Sequence, residues 1–145
     1  MRHYRTLSDG CRLEIQNISA AIYAIGYHRY WAPVATTKLL KEAITHISDF
    51  PTPGLANLMW SLGNLRFSNL ELVNAIARQS IAEKHLRNYE EQDLTSVLYG
   101  MAMCRYRDPG VIGELISEIL RPGRIASMHN VRFPACTPLL LEAAF

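Results

Sequence analysis

Apolar residues recur at spacings of three and four along most of the chain, which is the pattern of one buried helix face. The clearest stretch runs from 55 to 67, and its apolar side chains are Leu55, Leu58, Met59, Leu62 and Leu65. Similar stretches lie on both sides of it, separated by breaks rich in proline, glycine or aspartate, such as 49–54. No stretch shows the alternation of a half-buried strand, so the pattern predicts an all-α protein.

The stretch at 55–67 is repeated along the chain. It aligns with residues 18–30, 37 positions upstream, and with residues 94–106, 39 positions downstream. A shorter copy at 127–133 repeats its end. All copies end in an arginine followed by an aromatic residue: Arg29-Tyr30, Arg66-Phe67, Arg105-Tyr106 and Arg132-Phe133. A single helix hairpin cannot bury both of its faces, whereas stacked hairpins can. The repeat therefore predicts an α-solenoid of about three and a half helix-turn-helix units of 37–39 residues.

The repeat also sets the expected domain organisation. We expect an irregular N-terminal arm at 1–12 and a single helical-repeat domain at 13–145. Its repeats are expected at about 13–50, 51–88 and 89–121, with a partial repeat at 122–145. The last residues are apolar where a solenoid usually has a polar capping helix. We therefore expect neighbouring proteins to cover the apolar C-terminal end.

Composition narrows the function classes. The 145 residues are 49% hydrophobic and 19% charged, which argues against disorder, and the net charge of +2 allows either an RNA or a protein partner. The three cysteines and five histidines are scattered, and no motif of a metal site, a phosphate-binding loop or a catalytic nucleophile occurs. We therefore expect no enzyme activity, no metal and no cofactor. No apolar run is long enough to predict a membrane span.

The repeated arginines are the first candidate binding residues. In a solenoid, Arg29, Arg66, Arg105 and Arg132 would form one row, with units separated by about 10 Å. Guanidinium groups in a row suit successive RNA phosphates. The alternative is that each arginine only stabilises a helix C-terminus, where a cation contributes about 0.3–1 kcal/mol through the helix dipole.

A polar line on the second unit is the other candidate. Asn57, Ser61 and Asn64 are spaced to lie on one face of their helix, where amides and a hydroxyl can contact the base edges of single-stranded RNA. The alternative role is close packing between helices. The aromatic residues at the sixth repeat position, Tyr23, Trp60 and Tyr99, are interpreted as core residues.

The residues at 55–62, Leu-Ala-Asn-Leu-Met-Trp-Ser-Leu, and at 89–94, Tyr-Glu-Glu-Gln-Asp-Leu, resemble the octotricopeptide repeat and the related heptatricopeptide repeat. The resemblance implies a stack of helical repeats that binds RNA in an organelle, where members of this family act in RNA processing, stability and translation and some are parts of mitochondrial ribosomes. In that family the arginine position is more often glycine or asparagine. Many members also carry a RAP domain, which nothing in this chain resembles.

The sequence thus favours a small, non-catalytic RNA-binding component of a mitochondrial or, alternatively, plastid ribosome or ribonucleoprotein, in contact with ribosomal or other organellar RNA. The alternative is a protein–protein scaffold of the same shape without direct RNA contact.

Overall fold

The computed structural model describes residues 7–67 and 69–124, and their side chains from Ile15 onward apart from that of Glu83. Within these ranges the protein is helical and contains no strand, so the expected all-α fold is confirmed. The elements are α1 (Leu7–His28), α2 (Pro33–Thr45), a 3₁₀ helix (Ile47–Asp49), α3 (Thr52–Asn64), α4 (Leu70–Ser80), α5 (Glu83–Leu86), α6 (Glu91–Met103) and α7 (Pro109–Ile119).

The helices form two layers of a repeat stack. The first layer holds α1, α3 and α6, here called the A helices, and α3 packs between the other two. The second layer holds α2, α4 and α7, the B helices, each of which packs on the A helix that precedes it. The pairs α1–α2, α3–α4 and α6–α7 are therefore successive helix hairpins, as the repeat predicts.

Small residues set the distance between neighbouring A helices. A Cβ atom built on Gly26 of α1 would lie 2.6 Å from the Cα of Ser61 in α3. One unit later, a Cβ atom on Gly63 would lie 2.7 Å from the Cα of Gly100 in α6. The ninth repeat position of one A helix thus meets the seventh position of the next in both interfaces. Because these positions lack bulk, the helix backbones approach closely and align their ends at one edge.

The N-terminal arm predicted at 1–12 is wrong for residues 7–12, because α1 begins at Leu7. Residues 1–6 lie outside the described part of the chain. Asp9 and Gly10 are weak helix formers, which is why the sequence suggested an irregular segment. Each further residue adds a hydrogen bond to an existing helix at little cost, so a packed helix extends through such positions.

Two helix starts show how local capping works in this chain. Asp108 precedes α7, and its Oδ1 accepts a hydrogen bond from the backbone N–H of Gly110 at 2.9 Å. At α4 the cap is Asn69, whose Oδ1 accepts from the N–H of Leu72 at 3.2 Å. Both caps satisfy donors that the first helical turn leaves without a backbone partner.

A buried ion pair joins the end of α7 to the segment before α6. The carboxylate of Glu118 lies 2.9 Å from Nε of Arg124 and 3.0 Å from Nη2 of Arg121. Arg124 also donates from Nη1 to the carbonyl oxygen of Tyr89 at 2.6 Å and from Nη2 to that of Arg87 at 3.1 Å. Arg124 therefore crosslinks two parts of the chain that are distant in sequence.

Candidate nucleic-acid interface

Each A helix ends in the same hydrogen-bonded turn. The arginine N–H donates to the carbonyl three residues earlier, and the following aromatic N–H donates to the carbonyl five residues earlier. This pair of bonds is the Schellman motif, which satisfies the last carbonyls of a helix. The bonds are Arg29 to Gly26 (3.2 Å), Tyr30 to Ile25 (3.1 Å), Arg66 to Gly63 (2.9 Å), Phe67 to Leu62 (2.9 Å), Arg105 to Ala102 (3.0 Å) and Tyr106 to Met101 (2.9 Å).

The motif places all three arginines in the left-handed region of backbone space. Their φ angles are 49° at Arg29, 50° at Arg66 and 56° at Arg105, and no other non-glycine residue in the described ranges has a positive φ. Glycine is the usual residue here, because a Cβ atom makes the left-handed conformation cost about 1–2 kcal/mol. The chain therefore keeps an unfavourable residue at the same position in three successive units.

Helix capping alone does not explain that choice. A cation at a helix C-terminus stabilises the helix by about 0.3–1 kcal/mol, which does not exceed the cost of the left-handed conformation. Glycine would make the same two backbone hydrogen bonds without that cost. Repeated strain that the fold does not require points to a role for the side chain itself.

The three arginines, here called the arginine row, lie on one edge of the stack. The A helices pack side by side and end at this edge, so the row repeats at the distance between packed helices, about 10 Å. All three residues are exposed, and no described carboxylate forms an ion pair with Arg66 or Arg105. The edge therefore presents regularly spaced positive charge to solvent.

The aromatic residues that follow the arginines differ from one another. Phe67 is partly buried and packs against the ring of Trp31, at a centroid distance of 5.7 Å, which joins the first two turns. Tyr106 is buried, and its hydroxyl donates to Oδ1 of Asn74 at 3.2 Å. Tyr30 is 67% exposed. Two of these residues thus fix the turns, and one remains on the surface beside the arginine row.

The three polar residues predicted as an RNA contact on the second unit differ in their exposure to solvent. Ser61 is fully buried against Gly26, and its hydroxyl donates to the carbonyl oxygen of Asn57 at 2.6 Å. It cannot contact RNA and serves the close packing of α1 on α3, so the RNA-binding assignment of Ser61 is corrected. Asn57 and Asn64 are half-buried, and Asn64 accepts a hydrogen bond at Oδ1 from the hydroxyl of Tyr99 at 3.1 Å.

An aromatic ladder crosses from the core to the surface between the first two units. Tyr23 stacks on Trp60 at a centroid distance of 5.0 Å, and Tyr27 stacks on Tyr23 at 6.2 Å. Trp60 is only 4% exposed, whereas Tyr23 is 39% and Tyr27 is 64% exposed. The core assignment is therefore correct for Trp60 and wrong for Tyr23. Tyr27 does not stand out in the repeat alignment, although its spacing of four residues from Tyr23 places both rings on one helix face.

Arg132 lies outside the described residues. Within the described ranges, no group of three or more His, Cys, Asp or Glu residues is arranged to hold a metal ion, and no helix is long and apolar enough to span a membrane. Burial raises the pKa of the Cys104 thiol to about 11. The thiol is therefore protonated at neutral pH and buried in the core.

No protein-family model matches this chain. Over 88 residues the chain is 30% identical to a chloroplast RAP domain-containing protein of rice, Oryza sativa subsp. japonica. The match covers 61% of this chain and 13% of the rice protein. The chain thus spans a small part of that relative, and the similarity is to a segment of a much longer organellar protein.

Proposed function

We propose that this protein is a non-catalytic, RNA-binding helical-repeat protein of an organelle and that the arginine row binds the RNA backbone. The observation that carries the proposal is the left-handed arginine at the same position in three successive turns. Glycine suits the backbone better, so the retained property is the guanidinium group. Its planar fork of donors matches the oxygens of a phosphate.

The geometry of the edge supports several simultaneous contacts. A flexible single strand can adapt to charges spaced about 10 Å apart, the distance between packed helices. Each neutralised phosphate releases counterions, so the row contributes affinity without reading sequence. Net charge elsewhere is nearly balanced, since the whole chain carries +2. RNA binding by this protein would therefore depend on the local arrangement of arginines.

The rice relative supports an organellar setting. Its name places it in the chloroplast, which favours a plastid over the mitochondrial location expected from the sequence. We propose that the chain works as a structural part of an organellar ribosome or another ribonucleoprotein. Cosedimentation of the native protein with organellar ribosomal particles tests this assignment, and recovery only in ribosome-free fractions would contradict the ribosomal role.

A protein–protein scaffold is the second candidate. The edge that carries the arginine row also exposes large apolar side chains: Tyr30, Trp31, Val34 and Leu70. Arginine together with exposed tryptophan and tyrosine is typical of protein interfaces as well. The two functions differ in their dependence on salt, because only RNA binding displaces several counterions per complex.

A filter-binding titration of a single-stranded RNA at several salt concentrations tests the RNA-binding proposal. Three neutralised phosphates predict a slope of about −2 in a plot of log affinity against log salt. The double variant Arg66→Glu/Arg105→Glu should lose binding but stay folded, since both residues are exposed and the lost helix-dipole interactions cost only about 1–2 kcal/mol in total. No binding by the wild type at low salt would reject RNA binding and favour the scaffold.

A matched control makes the same change of charge elsewhere. Lys38 and Lys41 are exposed on α2 and are not members of the arginine row. The double variant Lys38→Glu/Lys41→Glu alters net charge by the same amount, so it should retain most of the affinity. Equal losses in both double variants would show that only net charge matters and would contradict a specific arginine row.

A further inference from the structure

We propose that the aromatic ladder of Tyr27, Tyr23 and Trp60 is a stacking site for an unpaired base of single-stranded RNA. This inference rests on the proposed RNA-binding function and assigns it a second, separate contact surface. The arginine row would bind phosphates, whereas the ladder would select RNA whose bases are free.

The ladder is already arranged for stacking. Its three rings are nearly parallel, with interplanar angles of 25° between Tyr23 and Trp60 and 28° between Tyr27 and Tyr23. Trp60 anchors the inner end in the core, and each outer ring rests on the previous one. Because the rings are held before any ligand arrives, little side-chain entropy is lost on binding.

The outer end of the ladder is open. Tyr27 is 64% exposed, and its described ring neighbours are Tyr23, stacked on it, and His28, which meets it edge to face at 5.2 Å. A further planar ring can therefore extend the stack from the surface. Within a duplex, the faces of each base are covered by its neighbours, so only an unpaired base is available for this contact.

Polar and charged groups near the ladder fit a nucleotide. Asn64 lies one helical turn after Trp60 and occupies the same repeat position as Tyr27, so both face the same side of the A-helix layer. The hydroxyl of Tyr99 donates a hydrogen bond to Oδ1 of Asn64. No described acceptor is bonded to the amide nitrogen of Asn64, so this nitrogen can donate to a base carbonyl. Arg29 follows Tyr27 by two residues, in the turn that ends the same helix, so a positively charged side chain belongs to the same end of α1.

Stacking on tyrosine is tolerant of base identity, because every base has a π-face. The site would thus distinguish single strands from duplexes more than one sequence from another. The proposed RNA-binding function favours a planar base over a protein side chain as the occupant of this stack. A protein partner at this surface is one outcome of the test below.

The test compares ring-removing and ring-conserving variants. Tyr23→Ala/Tyr27→Ala should weaken binding of a single-stranded RNA about 5- to 150-fold, the effect of losing one stacked base. Tyr23→Phe/Tyr27→Phe keeps both rings and should bind within about twofold of the wild type, since stacking does not need the hydroxyl. The salt slope should stay unchanged in both, because no phosphate contact is removed.

Two further variants control for reduced stability and for the loss of an exposed side chain outside the ladder. Tyr27→Ala alone removes only an exposed ring, so it tests the site even where the double variant is less stable. Ile116→Ala removes an exposed apolar side chain of α7 that belongs to neither the ladder nor the arginine row, and it should leave affinity unchanged. A duplex of the same sequence should bind wild type and ladder variants equally.

The outcomes separate this inference from the proposed function. Unchanged single-strand affinity in Tyr27→Ala and in the double alanine variant, with binding still lost in Arg66→Glu/Arg105→Glu, overturns the stacking site and leaves the RNA-binding function intact. Equal losses for single strand and duplex also overturn it. A wild-type protein that binds no RNA but a protein through the ladder contradicts both.

Discussion

Replacing Arg66 and Arg105 together by glycine, or together by alanine, separates the cost of the left-handed backbone from the contribution of the two charges. Both double variants lose the guanidinium groups and their interaction with the helix dipole. Only alanine retains a Cβ atom at φ angles of 50° and 56°. The difference in unfolding free energy between the two variants is therefore free of any charge effect and reports the backbone cost in the folded state less the extra freedom that glycine gives the unfolded chain.

The expected difference in unfolding free energy between the glycine and alanine variants is the balance of two opposing effects. Glycine removes a conformational cost of about 1–2 kcal/mol per site. It also gives the unfolded chain more freedom than alanine does, which returns about 0.4–1 kcal/mol. The net advantage of glycine is about 0.8 kcal/mol per site, so the double glycine variant should be about 1.5 kcal/mol more stable than the double alanine variant. For a domain of this size that difference raises the melting temperature by about 6 °C.

Urea unfolding followed by far-UV circular dichroism measures this difference, and an unchanged m-value shows that the unfolded state is comparable. Glycine and alanine variants of equal stability would refute the left-handed turn as the conformation in solution. The RNA-binding proposal makes a separate prediction, because both variants should lose the same fraction of RNA affinity. A double glycine variant that binds RNA like the wild type would show that the guanidinium groups were not retained for RNA.

Three further predictions concern stability. Gly100→Ala should destabilise the protein by about 3 kcal/mol, at the upper end of overpacking costs, because the new Cβ atom would overlap the backbone oxygen of Met59 in α3. Burial and, secondarily, Lys84 lower the pKa of His85, so its contribution to stability should be present above the unfolded pKa of 6.5 and lost as the pH falls below it. Glu118→Ala should cost about 3 kcal/mol, because it leaves the buried guanidinium of Arg124 without its carboxylate.

Each of these predictions has an internal control. Gly113→Ala in α7 meets no atom within 4 Å and should instead stabilise the helix by about 0.5–1 kcal/mol. For His85, a His85→Gln variant should lose less stability than the wild type between pH 7 and pH 5, and parallel pH profiles would contradict the burial effect. For the ion pair, a double-mutant cycle of Glu118 and Arg124 should show coupling, and additive effects would contradict it.

Comparison of the repeats predicted which arginines are equivalent but not their backbone conformation. Aligning the three units identified Arg29, Arg66 and Arg105 as equivalent, and the structure places them at equivalent turns on one edge. Their left-handed backbone was not predictable from the residue type, because the Cβ atom of arginine makes this conformation unfavourable and therefore rare. Only the hydrogen bonds of the turn reveal that these residues occupy a position suited to glycine.

The sequence by itself determined the helical period, the repeat length and the equivalence of positions between units, because these depend on spacing along one chain. Only the tertiary structure decided which equivalent residues are accessible. Ser61 is buried because Gly26 of the preceding helix lets the two backbones meet there, whereas Tyr23 is exposed because no described A helix covers the other side of α1. Exposure depends on the neighbouring helix, and the identity and distance of that neighbour are properties of the packed stack.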